Sequence, residues 1–182
     1  MQKKAGVVKT IFFILIILII IFLIVLSLVY FFILNPAQKK PNIENPLEGI
    51  SSESGEVPIE DIEIEPMFIS YILNEAGAWK LHADPFNGEE AIINFEIEDG
   101  TNYYSKIDDS IETFEGISLE ADLEFQTEKK EIIMAILSSD PGDYFVESIQ
   151  NGETQVEITT DELELLMKGY PGFYNSLEIE ED

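Results

Sequence analysis

The chain has no cysteine, no arginine and a single histidine, His82. Without cysteine there is no disulfide framework and no thiolate metal site. With one histidine, clusters of histidine ligands and histidine-dependent triads are excluded, apart from constellations built on His82 alone. The sequence therefore predicts no metal site and no cofactor.

The usual signatures of catalysis are also missing. The sequence contains no glycine-rich phosphate-binding loop, no nucleophile elbow and no calcium-binding loop. Carboxylate pairs such as Glu89-Glu90 and Asp108-Asp109 are expected by chance in a chain with 36 acidic residues. A glycosidase would need two carboxylates facing each other across a cleft, and sequence spacing does not show this arrangement. We predict no catalytic residue and expect that the protein is not an enzyme.

Positive charge is scarce beyond the N-terminal region. All 36 acidic residues lie at or beyond Glu44, whereas only five of the ten lysines follow Lys40. Such an acidic surface repels nucleic-acid phosphates and anionic lipid headgroups, so we expect no nucleic-acid partner. Suitable partners are cationic surfaces, loosely bound divalent ions or neutral apolar ligands. Solubility or adaptation to salt is the simpler explanation of the charge.

One long apolar run is present, from Ile11 to Leu34. It carries no charge, and its only weakly polar members are Ser27 and Tyr30. As a helix it would extend roughly 36 Å, enough to cross a hydrocarbon core of roughly 30 Å. A soluble buried helix would show a polar stripe, which is absent here. Residues 11–34 are therefore predicted to form a single transmembrane helix that anchors the protein in the cell membrane.

The orientation of this helix follows from the lysines beside it. Lys3, Lys4, Lys9 and the amino terminus precede the helix, whereas Lys39 and Lys40 follow it. The excess of positive charge on the short side favours a cytoplasmic N-terminus, here residues 1–10. The C-terminal part is then expected to be extracytoplasmic.

Two alternatives to an uncleaved anchor fit the sequence less well. A cleaved signal peptide has a shorter apolar stretch followed by small residues, whereas residues 34–36 read Leu-Asn-Pro. A type IV pilin-like leader would place Lys9 just inside the apolar helix, where it interrupts the packing surface. The uncleaved signal anchor is the prediction that fits both observations.

The segment after the anchor is rich in proline, serine and glutamate. Residues 35–65 include Pro36, Pro41 and Pro46, and they contain few apolar residues that could form a core. We predict a flexible linker over residues 35–65 and one acidic α+β domain over residues 66–182.

Apolar spacing predicts the elements of this domain. Period-2 alternation with turn residues between the runs predicts strands, and period-3.6 runs predict helices. In Ala91–Glu98, Asn94 is expected to face solvent. Thr127 and Thr160 are expected to cap the helices that follow them, and Asp140-Pro141-Gly142 to separate two helices. The predicted strands are 91–98, 102–107, 111–115, 121–127 and 153–159, and the predicted helices are 66–77, 128–138, 143–150, 161–168 and 170–177.

This order predicts the α+β class, with one mainly antiparallel five-stranded sheet covered on one face by helices and preceded by the transmembrane helix. Residues 122–127 (Asp-Leu-Glu-Phe-Gln-Thr) have the form acidic-apolar-x-apolar-x-Thr, and a helix with Glu131, Ile133 and Leu137 follows. Together with the glycine turn at Gly152 and the closing segment 168–177, residues 91–177 resemble the sterol-carrier-protein type of lipid-transfer domain. The resemblance implies an apolar space between the sheet and the C-terminal helices.

Nine apolar residues are candidates for lining such a space. They are drawn from the strands and helices that the pattern places around it. Two interpretations remain open, because a ligand cavity and a solid core have the same sequence pattern. The first is a membrane-tethered binding module for a lipid or other apolar ligand, and the second is a cell-envelope scaffold or interaction domain with an envelope protein as partner. The nine candidates are Phe95, Ile97, Phe125, Ile133, Leu137, Phe145, Leu166, Tyr170 and Phe173.

Overall fold

The structure is a computed structural model that describes residues 2–30, 38–48 and 59–177. The chain divides into two compact units, Met1–Ala37 and Gln38–Asp182.

The described part of the first unit, residues 2–30, forms the helix α1 (Gln2–Val29). None of its side chains from Phe12 to Val29 is buried, although the segment is strongly apolar. A long helix with apolar residues on every side needs an apolar surrounding, as a membrane-spanning helix or a signal sequence does. The predicted span 11–34 is helical through residue 29, and residues 31–34 lie outside the described residues.

The second unit contains a five-stranded sheet in the order β3-β2-β1-β4-β5. Three neighbouring pairs are antiparallel, but the central pair β1–β4 is parallel, with Phe95 beside Phe125. The sheet is therefore mixed, and the predicted α+β class with a mainly antiparallel sheet is confirmed. The strands are β1 (Ala91–Ile97), β2 (Asn102–Ile107), β3 (Ile111–Glu115), β4 (Leu123–Thr127) and β5 (Thr154–Ile158).

The described part of this unit contains five further α-helices, and those that pack on the sheet contact a single face of it. Helix α2 packs on β2 and β3, and α4 packs on β5. The opposite face carries charged and polar residues such as Glu124 and Glu157, as alternation along a strand requires. The helices are α2 (Pro66–Glu75), α3 (Lys129–Leu137), α4 (Pro141–Gln150), α5 (Glu162–Met167) and α6 (Tyr170–Leu177).

The parallel pair requires a connection that crosses the sheet. Residues 116–122 lead from the edge strand β3 to β4, and they pass over the face that carries no helix. Asn94 lies beneath this loop: its amide donates to the Ser118 carbonyl oxygen, and its side-chain oxygen accepts from the Ser118 N–H, each at 3.0 Å. The expectation that Asn94 faces solvent was wrong, because the crossing loop covers it and leaves it 2% exposed.

Three helix starts differ from the sequence prediction. Glu128, not Thr127, precedes α3, and the Thr127 hydroxyl instead contacts the Thr154 hydroxyl at 2.8 Å. Asp161, not Thr160, caps α5, because its carboxylate accepts the N–H groups of the first helical turn. Helix α4 begins at Pro141, whose fixed φ suits a first helical position.

The folded unit begins earlier than the predicted boundary at residue 66. Leu47 is 3% exposed and belongs to the hydrophobic core. The Asn45 amide donates to the Ile136 carbonyl oxygen at 3.1 Å, and Lys40 pairs with Glu75 at 2.7 Å. Residues 38–48 of the predicted linker therefore pack on α2 and α3, whereas residues 35–37 and 49–58 lie outside the described residues.

Helices α2 and α4 approach each other closely at Gly142. A Cβ atom at this position would lie 2.6 Å from the backbone oxygen of Glu75. Because a backbone atom cannot move aside as a side chain does, we expect Gly142→Ala to lower the free energy of unfolding by about 1–3 kcal/mol. Chemical denaturation followed by circular dichroism measures the loss.

Gly172, in α6, is the matched control for this substitution, because a Cβ atom there meets nothing within 4 Å. We expect Gly172→Ala to stabilise the protein by a few tenths to about 1 kcal/mol, since alanine restricts the unfolded chain more than glycine does. Equal effects at the two positions would contradict the close helix approach at Gly142.

Candidate functional site

Seven of the nine predicted cavity residues lie together in one hydrophobic core between the sheet and the helices. Three come from the strands and four from helices α3, α4 and α6, so the tertiary fold brings together residues that are distant in the sequence. All seven are at most 3% exposed. They are Phe95, Ile97, Phe125, Ile133, Phe145, Tyr170 and Phe173.

Three phenylalanine rings form the centre of this core. The ring centroids of Phe95 and Phe125 are 5.0 Å apart, those of Phe125 and Phe145 are 5.3 Å apart, and those of Phe95 and Phe145 are 6.0 Å apart. These are contact distances for aromatic pairs. The rings therefore fill the space that they line, and a ligand would enter only if they moved apart.

Leu137 lies outside the core and is 46% exposed. The buried face of α3 is centred on Ile132 and Ile136, and successive residues turn by about 100° around the helix. Ile133 lies at the margin of this face, and Leu137, four residues later, falls beyond it at the last helical position. The structure does not place Leu137 with the other candidates.

Leu166 also lies outside the core and is 42% exposed. Helix α5 has only six residues, and it turns Leu165 inward while Leu163 and Leu166 face outward. The 3.6-residue repeat of apolar residues does not identify the buried face of so short a helix, because any of its three leucines could lie on that face. The expected apolar face of α5 was therefore assigned to the wrong leucines.

A buried ion pair lies at the start of β4, where Asp122 is 0% exposed and Lys168 is 3% exposed in their side chains. The Lys168 ammonium donates to Asp122 Oδ1 at 2.7 Å and to Glu164 Oε1 at 2.6 Å. The other oxygen of Asp122 accepts the Ile92 N–H at 2.7 Å and the Tyr170 hydroxyl at 3.0 Å. This pair connects the central strands to the junction between α5 and α6.

The surroundings shift the pKa values of these groups. Burial raises the pKa of Asp122, and its hydrogen bonds offset this only in part. Burial alone would lower the pKa of Lys168, but the Asp122 and Glu164 carboxylates outweigh it and raise that pKa. Hydrogen bonds from Lys168 and Thr160 lower the pKa of Glu164. Lys168 therefore carries its charge at neutral pH and is matched by carboxylates on two sides.

The sequence prediction missed this ion pair. Asp122 was assigned to a strand motif, and its charge is one of 36 acidic charges. Lys168 was a more informative signal, because only five lysines follow Lys40 and it directly follows the leucine-rich run 163–167. A scarce cation in an acidic domain is a candidate for a structural pair, but the partner is 46 residues away in the sequence.

Three pockets border the described residues, and their walls are mainly polar. Their volumes are about 320, 440 and 660 Å³, and each wall contains several charged side chains. The largest lies over the ion pair, with Glu164 and Lys168 in its wall. Among the predicted cavity residues, Ile97 alone lines one of these three pockets. The description of the nine candidates as a ligand cavity stays a prediction.

Tyr144 and Glu131 join α3 to α4, because the Tyr144 hydroxyl donates to the Glu131 carboxylate at 3.1 Å. Burial and this negative neighbour raise the pKa of Tyr144 from 10.0 to about 12. The folded state thus holds the phenol proton more tightly than the unfolded state. The resulting stabilisation is complete below pH 10.0 and is lost as the pH rises towards about 12.

We expect the ultraviolet titration of tyrosinate to include a transition near pH 12 that is lost in Tyr144→Phe. Glu131→Gln removes the negative charge and should move this transition to lower pH. A titration of Tyr144 at its ordinary value of 10.0 would contradict the contact with Glu131.

The described structure defines an α+β domain with a mixed five-stranded sheet and an apolar interior under its helices. No known family model and no curated protein matches the sequence. Two solved structures of SCP2-domain proteins are similar at low identity. The ubiquinone synthesis protein UbiJ-SCP2 is 9% identical, with a TM-score of 0.33 and coverage of 48% of this chain and 71% of that chain.

The second structure is palmitated SCP2L2 from Aedes aegypti, determined by solution NMR. It is 13% identical, with a TM-score of 0.34 and coverage of 55% of this chain and 87% of that chain. Neither TM-score establishes a common fold for the whole chain. Membership of the sterol-carrier family therefore stays a proposal.

Proposed function

We propose that the protein is a membrane-tethered, extracytoplasmic binding module that takes an apolar ligand, such as a lipid acyl chain, between its sheet and C-terminal helices. The observation that carries this proposal is the joint burial of seven predicted residues in one apolar interior that α5 and α6 close. We therefore propose a binding protein of the sterol-carrier type rather than an enzyme.

The cover of this interior is lightly packed at α5. This helix buries Leu165 but leaves Leu163 62% and Leu166 42% exposed. Helix α6, by contrast, buries Tyr170, Phe173 and Leu177. Apolar burial is the main source of packing stability, so apolar packing holds α5 less strongly than it holds α6.

Binding requires the interior to open, because the three phenylalanine rings are in contact. An apolar ligand would shift the protein towards an open conformation only as far as its affinity for the open conformation exceeds its affinity for the closed one. The acidic surface favours a neutral ligand over an anionic one, since 36 acidic residues lie at or beyond Glu44.

A photoactivatable monoacylglycerol with a diazirine in its chain tests the proposal on the full protein in amphipol. We expect crosslinks to the segments that contain Phe95, Phe125, Phe145 and Phe173. Crosslinks confined to residues 2–29 would show only the apolar character of α1 and would refute binding in the domain.

The same chemical change on opposite faces of the sheet gives a matched pair of variants. Phe125→Leu enlarges the interior and should change the crosslinking yield, whereas Phe114→Leu should not, because Phe114 lies on the opposite face and is 40% exposed. Equal yields for both variants would place the ligand elsewhere.

An interaction domain with a solid core is the second candidate. The contact between the three central rings favours it, as does the polar character of the three pockets described above. Its partner would be an envelope protein with a cationic surface that complements the acidic domain. Absence of crosslinks to the interior in every variant, together with retained folding, would favour this candidate.

The proposed topology has its own test, which the absence of cysteine makes simple. A membrane-impermeant maleimide added to intact cells should label Asn42→Cys and should not label Gln2→Cys. Asn42 is suitable because its side chain is exposed. Labelling of Gln2→Cys without labelling of Asn42→Cys would reverse the orientation, and labelling of neither without lysis would place the domain inside the cell.

A further inference from the structure

The junction between α5 and α6, residues 168–170, is held to the sheet by polar contacts. Lys168 and Tyr170 bind the two oxygens of the same buried carboxylate, Asp122, at 2.7 and 3.0 Å. Asp122 is itself fixed to the neighbouring strand, because its backbone N–H donates to the Ile92 carbonyl oxygen at 2.8 Å and its carboxylate accepts the Ile92 N–H. A rigid pair of central strands therefore holds both ends of the junction.

The other side of the junction is held as well. The His82 N–H donates to the Lys168 carbonyl oxygen at 3.1 Å. Gly169 has a φ of 84°, and a Cβ atom there would lie 3.0 Å from His82 Nε2. The junction thus fits between Asp122 and His82 in one conformation, which a residue other than glycine would strain.

Apolar packing does not explain why α5 stays in place. One of its three leucines is buried, whereas the adjoining residues Lys168 and Tyr170 are buried and hydrogen-bonded. The Thr159 N–H, just before α5, also donates to the Asp122 carbonyl oxygen at 3.0 Å. The attachment of this helix to the sheet is therefore mainly polar and converges on one residue, Asp122.

We propose that Asp122, Lys168 and Tyr170 form a latch that holds α5 and the start of α6 closed over the apolar interior, and that release of this latch controls ligand entry. The control of entry rests on the proposed function, whereas the latch itself does not. A buried charge pair suits this role because its strength depends on a few directional contacts, which a small displacement breaks together.

Hydrogen exchange of the full chain in amphipol tests the latch without any ligand. In Lys168→Met and in the milder Tyr170→Phe, we expect amides of residues 162–177 to exchange at least about tenfold faster than in the wild type and to remain less protected than those of β1 and β2, which open only on global unfolding. Lys168→Arg keeps the charge and should retain most of the protection. Ser148→Ala is the control, because it removes buried hydrogen bonds in α4 that do not involve the latch.

Unchanged exchange of residues 162–177 in Tyr170→Phe, or protection of these residues equal to that of β1 and β2, would overturn the latch. An equal increase in residues 162–177 in Ser148→Ala would do the same, since it would show a general loss of stability. Tyr170→Phe keeps the ion pair, so the test remains decisive if Lys168→Met does not fold.

The rate of binding of an NBD-labelled monoacylglycerol then tests the control of entry. The control of entry is supported if the latch variants both open residues 162–177 and bind the probe faster than the wild type. If the wild type and all variants bind the probe at the same rate, the latch does not control entry, and the proposed function is unaffected. Selective opening with no binding in any variant refutes the proposed function and with it the control of entry, while the latch stands.

Discussion

Replacing Phe125 by alanine is expected to lower the free energy of unfolding by about 3–5 kcal/mol. The side chain is fully buried, and its ring contacts those of Phe95 and Phe145 at 5.0 and 5.3 Å between centroids. Removing the ring leaves a cavity between two strands and α4, and the parallel pairing of β1 with β4 prevents the backbone from closing it. Chemical unfolding of the full chain in amphipol, followed by circular dichroism, measures the loss.

Phe114→Ala is the matched control for this prediction. Phe114 lies on the opposite face of the same sheet, is 40% exposed and stacks on Tyr104 at 5.3 Å. Its replacement should cost about 1 kcal/mol or less, because a solvent-exposed cross-strand pair contributes only that much. Similar losses for the two variants would mean that the apolar interior does not lie under the helices.

Replacing Lys168 by methionine is expected to lower the free energy of unfolding by about 3–5 kcal/mol. The substitution leaves the Asp122 carboxylate buried without its cation, whereas the methionine side chain fits the space of the lysine stem. Asp122 retains the Ile92 N–H and the Tyr170 hydroxyl, but neither supplies a full positive charge. The same unfolding measurement applies, and we expect the largest loss above the pKa of Asp122, where the carboxylate is ionised.

A double substitution separates the ion pair from the packing around it. In Asp122→Asn with Lys168→Met, both charges are absent and the asparagine oxygen still accepts the Ile92 N–H. We expect this double variant to be more stable than Lys168→Met alone, because an uncompensated buried charge costs more than the absence of the pair. A double variant that is less stable than both single variants would show that the charge is not the cause.

Much of the core was predictable from local patterns. Alternation along β1 identified Phe95 and Ile97 as inward-facing, and the same period in β4 identified Phe125. Pro66 at the first position of α2 and Gly77 just past its end are local signals of that helix. These signals are local because side-chain direction repeats every two residues in a strand and every 3.6 residues in a helix.

The predictions failed where an element was short or lay at an edge. Leu166 was assigned inward in a six-residue helix that in fact buries Leu165. Leu137 follows the apolar period of α3 but lies where that helix leaves the core. Asn94 faces the side of the sheet that was expected to be open, but the connection from β3 to β4 covers it. Each outcome depends on a neighbour that is distant in the sequence.

By itself, the sequence determined the apolar segment long enough to span a membrane, the α+β class and the positions of most strands and helices. Each of these follows from composition or from a short-range period, which needs no knowledge of other elements. The tertiary structure decided the parallel pairing of β1 with β4, the packing of residues 38–48 on the domain and the meeting of Asp122 with Lys168. These contacts join residues far apart in the chain, and they form only because the fold buries them together.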